Sequence, residues 1–365
     1  MSGTRCTVIA EAGVNHNGST ELAHRLVDAA ADAGADVVKF QTFRAERLAS
    51  RHAHKAAYQE RLTGEGQSQL EMLKALELSE AAHRELLEHC RTRGVEFMSS
   101  PFDELSLQFL VDLGVQRMKL GSGELTNAPL LLATARTGLP LILSTGMSTL
   151  SDVEAALGVL AFGYSPAAAS APSRAAFQQA WATAVGRSRV VDNVMLLHCT
   201  TEYPAPGDQV NLRAMHTLAA AFGLACGYSD HTEGHAVSVA AVALGARVIE
   251  KHFTLDRNLP GPDHQASLEP AAFRTMVDGI REVEAAMGDG RKVPMPVELP
   301  NMAVARKSLV AARPIRKGAV IGPDDLTVKR PGGGASPFAW WDVVGQRADR
   351  DYAPDEPVAP HGLGG

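Results

Sequence analysis

Eight times between Thr7 and residue 287, a short apolar run ends in polar or charged side chains and gives way to an amphipathic stretch. The runs are TVIAEAG from Thr7, DVVKFQT from Asp36, VEFMSS from Val95 and RMKLGS from Arg117. They continue with LILSTG from Leu141, VMLLHCT from Val194, LACGYSD from Leu224 and RVIEKHF from Arg247. Helical periodicity fills the intervals, as in ELAHRLVDAAADAG from Glu21 and EAAHRELLEHCRTRG from Glu80. Gly34, Gly94, Gly114, Gly138 and Gly245 stand near the ends of such stretches, where a positive φ stops a helix. Eight β-then-α units in roughly 250 residues predict an α/β fold of the closed (β/α)8 barrel kind. A doubly wound open sheet is the alternative, but no G-x-G-x-x-G turn follows the first run. Aromatics make up only 5% of the chain. Small and branched residues must therefore fill the core, as suits helices packed on parallel strands.

The rhythm predicts a barrel over residues 1–287, a Pro/Gly-rich linker over 288–301 and a second, β-rich domain over 302–365. That second domain, of roughly 60 residues, is marginal in core size. Residues 163–189 interrupt the barrel as a Ser/Ala/Pro-rich surface excursion with one short helix expected. A net charge of −6 without a long basic run excludes a nucleic-acid role. The cysteines Cys6, Cys90, Cys199 and Cys226 form no C-x-x-C pair and read as buried thiols in a reducing compartment. No signal-peptide pattern opens the chain, and no apolar stretch approaches a membrane span, so a cytoplasmic location is expected.

A barrel of this kind carries its chemistry at the C-terminal ends of its strands. Those ends hold Glu11; Lys39 and Gln41; Ser99 and Ser100; Lys119, Ser122 and Glu124; and Ser144 and Thr145. His198, Thr200 and Tyr203 follow the sixth run, Ser229, Asp230 and His231 the seventh, and Glu250, Lys251 and His252 the eighth. Lys39, Lys119, Ser100, Ser122 and Ser144, beside Gly121 and Gly123, suit a phosphate or carboxylate. The structural alternative pairs each lysine with a carboxylate of the fold. His231 and His252 close consecutive strands and suit a divalent ion with open coordination positions. His198 is expected to be structural, His16 is ambiguous, and the GPDHQAS loop is a candidate to line the cleft.

In order along the chain, IAEAGVNHNGS, VKFQTF, KLGSGELTN, LSTGM, LHCTTEYPAP, GYSDHT and IEKHFT with GPDHQASLEP resemble the sialic acid synthases. The tail ARKSLVAARPIRKGAVIGPDDLTVKRPGGG resembles their C-terminal antifreeze-like (SAF, β-clip) domain. The resemblance implies a transferase that condenses phosphoenolpyruvate with the aldehyde of N-acetylmannosamine, giving N-acetylneuraminate and phosphate by C–O cleavage. It implies a divalent metal on His231 and His252, with Mn2+ first and Mg2+ or Co2+ as alternatives. Lys39, Ser100, Lys119, Ser122, Ser144 and Ser229 would hold phosphoenolpyruvate, joined by a basic residue near the linker, Arg306 or Lys307. Gln41, Tyr203, Asp263 and Arg330 would face the sugar, and Glu11 or Glu124 would serve as catalytic carboxylate, Glu11 for the attacking water. It also implies a domain-swapped homodimer in which Arg330 enters the partner's barrel. Thr201 stands where some relatives have Asn, and Ser100 where Thr is frequent.

Three rivals remain at this stage. Legionaminic and pseudaminic acid synthases share these motifs but take a 6-deoxy diacetamido hexose. The 163–189 insertion and the stretch QSQLEMLKALELS resemble the neuraminic and legionaminic branches more than the pseudaminic one. A Schiff-base aldolase would use a barrel lysine and need no metal. A non-catalytic sugar-binding protein would have lost its strand-end residues.

Overall fold

In the computed structural model of the chain, residues 5–55, 60, 68–165 and 171–358 are described. They form two compact units that divide between Asp289 and Gly290.

The first unit contains all eight expected strands: β1 (Thr7–Gly13), β2 (Val37–Thr42), β3 (Glu96–Pro101), β4 (Met118–Leu120), β5 (Leu141–Ser144), β6 (Val194–Cys199), β7 (Cys226–Asp230) and β8 (Val248–His252). All pairings are parallel, in the order β3-β2-β1-β8-β7-β6-β5-β4. The two ends of that order, β3 and β4, lie side by side, so the sheet nearly closes into a barrel.

Side chains alternate across a strand, and this rule builds the barrel in layers. Ile9, Val37, Met98, Ile142, Leu197 and Val248 form an apolar plug in the interior. Two residues further along the same strands stand Glu11, Lys39, Ser100, Ser144, Cys199 and Glu250. The intervening positions, such as Val8, Ala10, Val38, Phe97, Leu143, Leu196 and Ile249, pack outward against the helices. Gly227 belongs to the plug layer: a Cβ there would lie 2.4 Å from the Val248 carbonyl and 2.7 Å from Leu197 Cδ2. The helices Glu80–Arg93 and Glu104–Leu113 start on capping Ser79 and Asp103 and stop on left-handed Gly94 and Gly114.

The 163–189 segment differs from expectation. Its N-terminal end belongs to the long helix Leu150–Tyr164, residues 166–170 lie outside the described residues, and two helices follow instead of one. Arg174–Ala182 and Ala184–Asn193 meet at Thr183, which ends the first and caps the second by accepting from Gly186 N at 2.9 Å. Phe177 anchors the pair edge-on against Phe162, 5.3 Å between ring centres. The Ala-rich composition hid the break because a cap is a single residue.

In the second unit an antiparallel pair, β9 (Ser308–Ala311) and β10 (Leu326–Lys329), packs with Ile315, Ile321, Val343, Tyr352 and Val358 around a small core. A helix, Leu299–Ala305, precedes it and runs across residues 301 and 302. Among the described residues no helix is long and apolar enough to cross a membrane.

Candidate active site

At the C-terminal end of the barrel, a cavity of about 230 Å³ is lined by residues of every strand end. Its floor is a ring of charges above the apolar plug. Lys39 Nζ lies 2.6 Å from Glu11 Oε2 and 3.6 Å from Glu250 Oε2. Lys119 Nζ lies 3.5 Å from Glu250 Oε1 and donates to Ser144 Oγ at 2.8 Å. Lys39 also donates to Ser100 Oγ at 3.4 Å, and Ser229 Oγ donates to Glu250 Oε1 at 2.7 Å. Lys39 and Lys119 are only 4% and 2% exposed, so two cations and two carboxylates share a desolvated site.

Burial and mutual charge set the protonation states. Burial pushes the Glu11 carboxyl up to about 7, although Lys39 opposes it; Glu250 adds to the rise. Burial also works against ionised Glu250, but Lys119 and Lys39 outweigh it and hold that carboxyl down at about 2. Lys39 ends above its ordinary value, because Glu11 and Glu250 overcome its burial. Lys119 ends below, because burial dominates. The two carboxylates of one ring are therefore pulled apart, as suits a site needing one fixed anion and one exchangeable proton.

On the neighbouring wall stand His231 and His252, with ring centres 5.6 Å apart. His231 Nδ1 is 2.6 Å from the Thr200 carbonyl, which can only accept, so Nδ1 carries the proton. Ser229 lies 3.3 Å from His231 Nε2, but its hydroxyl proton goes to Glu250. The Nε2 lone pair is thus left open on the cavity side. His252 Nδ1 is buried without a hydrogen-bond partner and has the Asp263 carboxylate 3.8 Å away. Burial keeps both imidazoles neutral, His231 at about 4 and His252 well below its usual value. Two neutral rings, one oriented through a backbone carbonyl, fit a divalent ion with open positions for water and substrate. Among the described residues no cluster of three or more His, Cys, Asp or Glu gathers as a complete ligand set. Tyr203 lies against His231 at 4.2 Å with its ring tilted by 34° and meets His252 edge-on at 5.4 Å. Gln41 donates to Glu11 Oε1 at 3.3 Å.

The cavity thus brings together Glu11, Lys39, Gln41, Ser100, Lys119, Ser122, Ser144, Tyr203, Ser229, His231, His252 and Asp263. Glu124 is the exception among the barrel candidates. It does not line the cavity, and its Oε2 accepts from Asn127 Nδ2 at 2.6 Å. The 3-10 turn Ser122–Glu124 separates the two: Ser122 faces Gly146 N and Cys199, while Glu124 turns toward the next helix cap. Lys307 and Arg330 belong to the second unit, where both are exposed. His198 Nε2 donates to the Val210 carbonyl, 2.7 Å away, in a structural role. The GPDHQAS loop contributes Pro262 and Asp263, whereas His264 bonds Thr254 and Asn17 instead.

Several lining residues carried no role in the sequence reading. Glu250 is the foremost, since it faces both lysines and Ser229. Its signal was available: it stands two residues after plug residue Val248 and two before His252. Thr201 Oγ1 is buried without a hydrogen-bond partner at the cavity wall. Met72, Leu73, Leu76 and Phe102 form an apolar flank that no local pattern announced.

Comparison with known proteins agrees with this geometry. The family model described as "NeuB family" matches residues 26–292, and that of the SAF domain matches residues 306–363. N,N'-diacetyllegionaminic acid synthase of Campylobacter jejuni is 46% identical over 96% of this chain and 97% of that protein. The protein of the same name from Legionella pneumophila is 47% identical over 95% of this chain and 91% of its own. Among solved structures, the N-acetylneuraminic acid synthetase of Leptospira borgpetersenii, in complex with citrate, superposes with a TM-score of 0.66 at 31% identity. That match covers 82% of this chain and 90% of the other.

Proposed function

Since the chain belongs to the NeuB family and carries a SAF domain, we propose that it condenses phosphoenolpyruvate with the open-chain aldehyde of a 6-deoxy diacetamido hexose. The products are N,N'-diacetyllegionaminic acid and inorganic phosphate. The observation that carries the reaction class is the ring of Lys39, Lys119, Ser100, Ser144 and Ser229 around two buried carboxylates. Each lysine rests on a carboxylate, as the structural alternative anticipated, but the carboxylates themselves line the cavity. A bound phosphoryl or carboxyl group takes up the same donors.

The choice of sugar rests on likeness. N-acetylmannosamine, the first expectation from the motifs, becomes the second reading. It is favoured by the 31% identical synthetase, against 46% and 47% for the legionaminic acid synthases.

In this reading Lys39 and Lys119 hold the anionic groups of phosphoenolpyruvate and keep its C3 facing the aldehyde. His231 and His252, with Asp263 nearby, hold the divalent ion. When bound, that ion polarises the aldehyde oxygen as a Lewis acid. C3 attacks the aldehyde carbon, and the cation left at C2 is trapped by water. Glu11, whose carboxyl titrates near neutrality, takes the proton of that water and passes it to the alkoxide formed from the aldehyde oxygen. The tetrahedral product then loses phosphate by cleavage of its C2–O bond. Gln41, bonded to Glu11, and Tyr203, lying against His231, flank the sugar. Lys307 and Arg330 act across a homodimer, and a fully active monomer at assay concentration excludes that part of the reading.

Phosphate release from a panel of hexosamines, with and without EDTA, is the test. Release with the 6-deoxy diacetamido sugar that EDTA abolishes supports the proposal. Release with N-acetylmannosamine alone moves it to the second reading. Borohydride trapping of pyruvate on a lysine, without metal, overturns both in favour of an aldolase.

A further inference from the structure

Among the described residues, the least exposed ion pair in the barrel faces away from the cavity. Asp230 and Lys251 are register partners on β7 and β8. By alternation they point outward, while Ser229, His231, Glu250 and His252 point in. Both charges are completely buried, with 3.1 Å between Lys251 Nζ and Asp230 Oδ2. They touch nothing in the cavity.

Four hydrogen bonds tie the pair to one short stretch of chain. Asp230 Oδ1 accepts from Thr232 N and Thr232 Oγ1, both at 2.8 Å. Asp230 Oδ2 accepts from Ser238 Oγ at 2.6 Å, on the helix Ala236–Ala243. Lys251 Nζ donates to the Thr232 carbonyl. The amide and the carbonyl of Thr232 are thereby both held, and Thr232 directly follows His231. The carbonyl of His231 is held in turn by Ala205 N at 2.8 Å, and its ring by Thr200 O. Little freedom is left to the imidazole.

A buried ion pair is poor value as a source of stability, because desolvation offsets its Coulombic gain. A neutral pair of the same volume would fill this space as well. What the charges add is fixed geometry on either side of one histidine.

We propose that Asp230 and Lys251 are positioning residues for His231, acting from the outer face of the barrel to fix its Nε2 lone pair toward the metal. The proposal rests on His231 being a metal ligand. It goes beyond that reading by assigning the ligand's orientation to a pair that meets neither metal nor substrate.

The test is the double variant Asp230→Asn/Lys251→Met, which keeps volume and removes both charges together. Metal-free protein is titrated with Mn2+ by calorimetry and with Co2+ by visible absorption, and phosphoenolpyruvate binding is measured without metal. The expected result is a fall in Mn2+ affinity of about 10–100-fold and an altered Co2+ spectrum. Phosphoenolpyruvate affinity and thermal midpoint stay near those of the parent. A folded double variant with parental Mn2+ affinity and Co2+ spectrum overturns the proposal. So does a joint loss of midpoint and phosphoenolpyruvate affinity with metal affinity kept, which is what a purely structural pair gives. Should the double variant not fold, Ser238→Ala decides, since it leaves both charges in place and releases one anchor of Asp230. A several-fold loss of Mn2+ affinity there supports the proposal, and none overturns it. Failure of the parent to bind any divalent ion instead defeats the metal reading itself, and is seen before any substitution is made.

Discussion

Glu11 and Glu250 sit on neighbouring strands of one ring and differ in chemistry. Both are buried, yet Lys119 and Lys39 together keep Glu250 ionised, whereas Glu11 titrates near neutrality. Glu250 is thereby fixed as an anion and Glu11 is free to exchange a proton. Glu11→Gln should lower turnover by about 10²–10⁴-fold, the usual worth of a positioned acid–base group. Phosphoenolpyruvate and metal binding should persist. The parent's rate should fall as pH drops through about 7, as Glu11 becomes protonated, and the variant's residual rate should lack that limb. A Glu11→Gln enzyme with near-parental turnover would exclude the assignment. In the proposed reaction Lys119 serves a different end: it binds rather than transfers. Lys119→Met removes charge-assisted bonds worth about 1.5–3 kcal/mol. The KM for phosphoenolpyruvate should therefore rise by about 10–150-fold, with the KM for the sugar little changed in steady-state assays.

At the scale of elements, the barrel's period-two alternation does most of the sorting. It puts plug and site on the same strands, one layer above the other. Gly227 is where that layering is tightest, since a Cβ would press on the Val248 carbonyl, which cannot move without breaking the sheet. Gly227→Ala should destabilise the protein by about 1–3 kcal/mol, as overpacking does. Urea denaturation measures this; a parental midpoint would mean the plug repacks freely. The same alternation explains what was legible in the sequence. Strand ends could be read because apolar runs stop abruptly there, so spacing alone put Lys39, Lys119, His231 and His252 at the strand ends, and all four line the cavity. Glu250 was seen but not weighed, because its importance comes from two lysines on other strands. Glu124 was assigned to the site because it follows a strand, and the 3-10 turn that carries it away leaves no periodic trace. The apolar flank of Met72, Leu73, Leu76 and Phe102 forms only when distant segments meet. No window of sequence contains it.

For the molecule as a whole, the unusual quantity is the number of histidines kept neutral by burial. His16, His231 and His264 are lowered to about 4, His83 is lowered, and His252 lies well below its ordinary value. The unfolded chain protonates these groups near pH 6.5, while the fold resists doing so until near pH 4. Across that window the unfolded state holds more protons, so these histidines contribute stability above pH 6.5 and lose it as pH falls. Glu11, Asp263 and Glu124 act in the opposite sense, because their carboxyls are raised and favour the fold at lower pH. Five imidazoles against three carboxyls leave the histidine sense in control. The thermal midpoint of metal-free protein should therefore drop between pH 7 and pH 5, on the order of 5 °C given about 2–4 °C per kcal/mol for a domain of this size. Added Mn2+ should raise the midpoint at pH 7 and do so less at pH 5, since protons compete for the imidazoles proposed to bind it. Scanning calorimetry at the two pH values, with and without the metal, separates these effects. A midpoint that is flat or higher at pH 5 would mean that the raised carboxyls outweigh the buried histidines or that those histidines are already charged in the fold, and either overturns the expected fall.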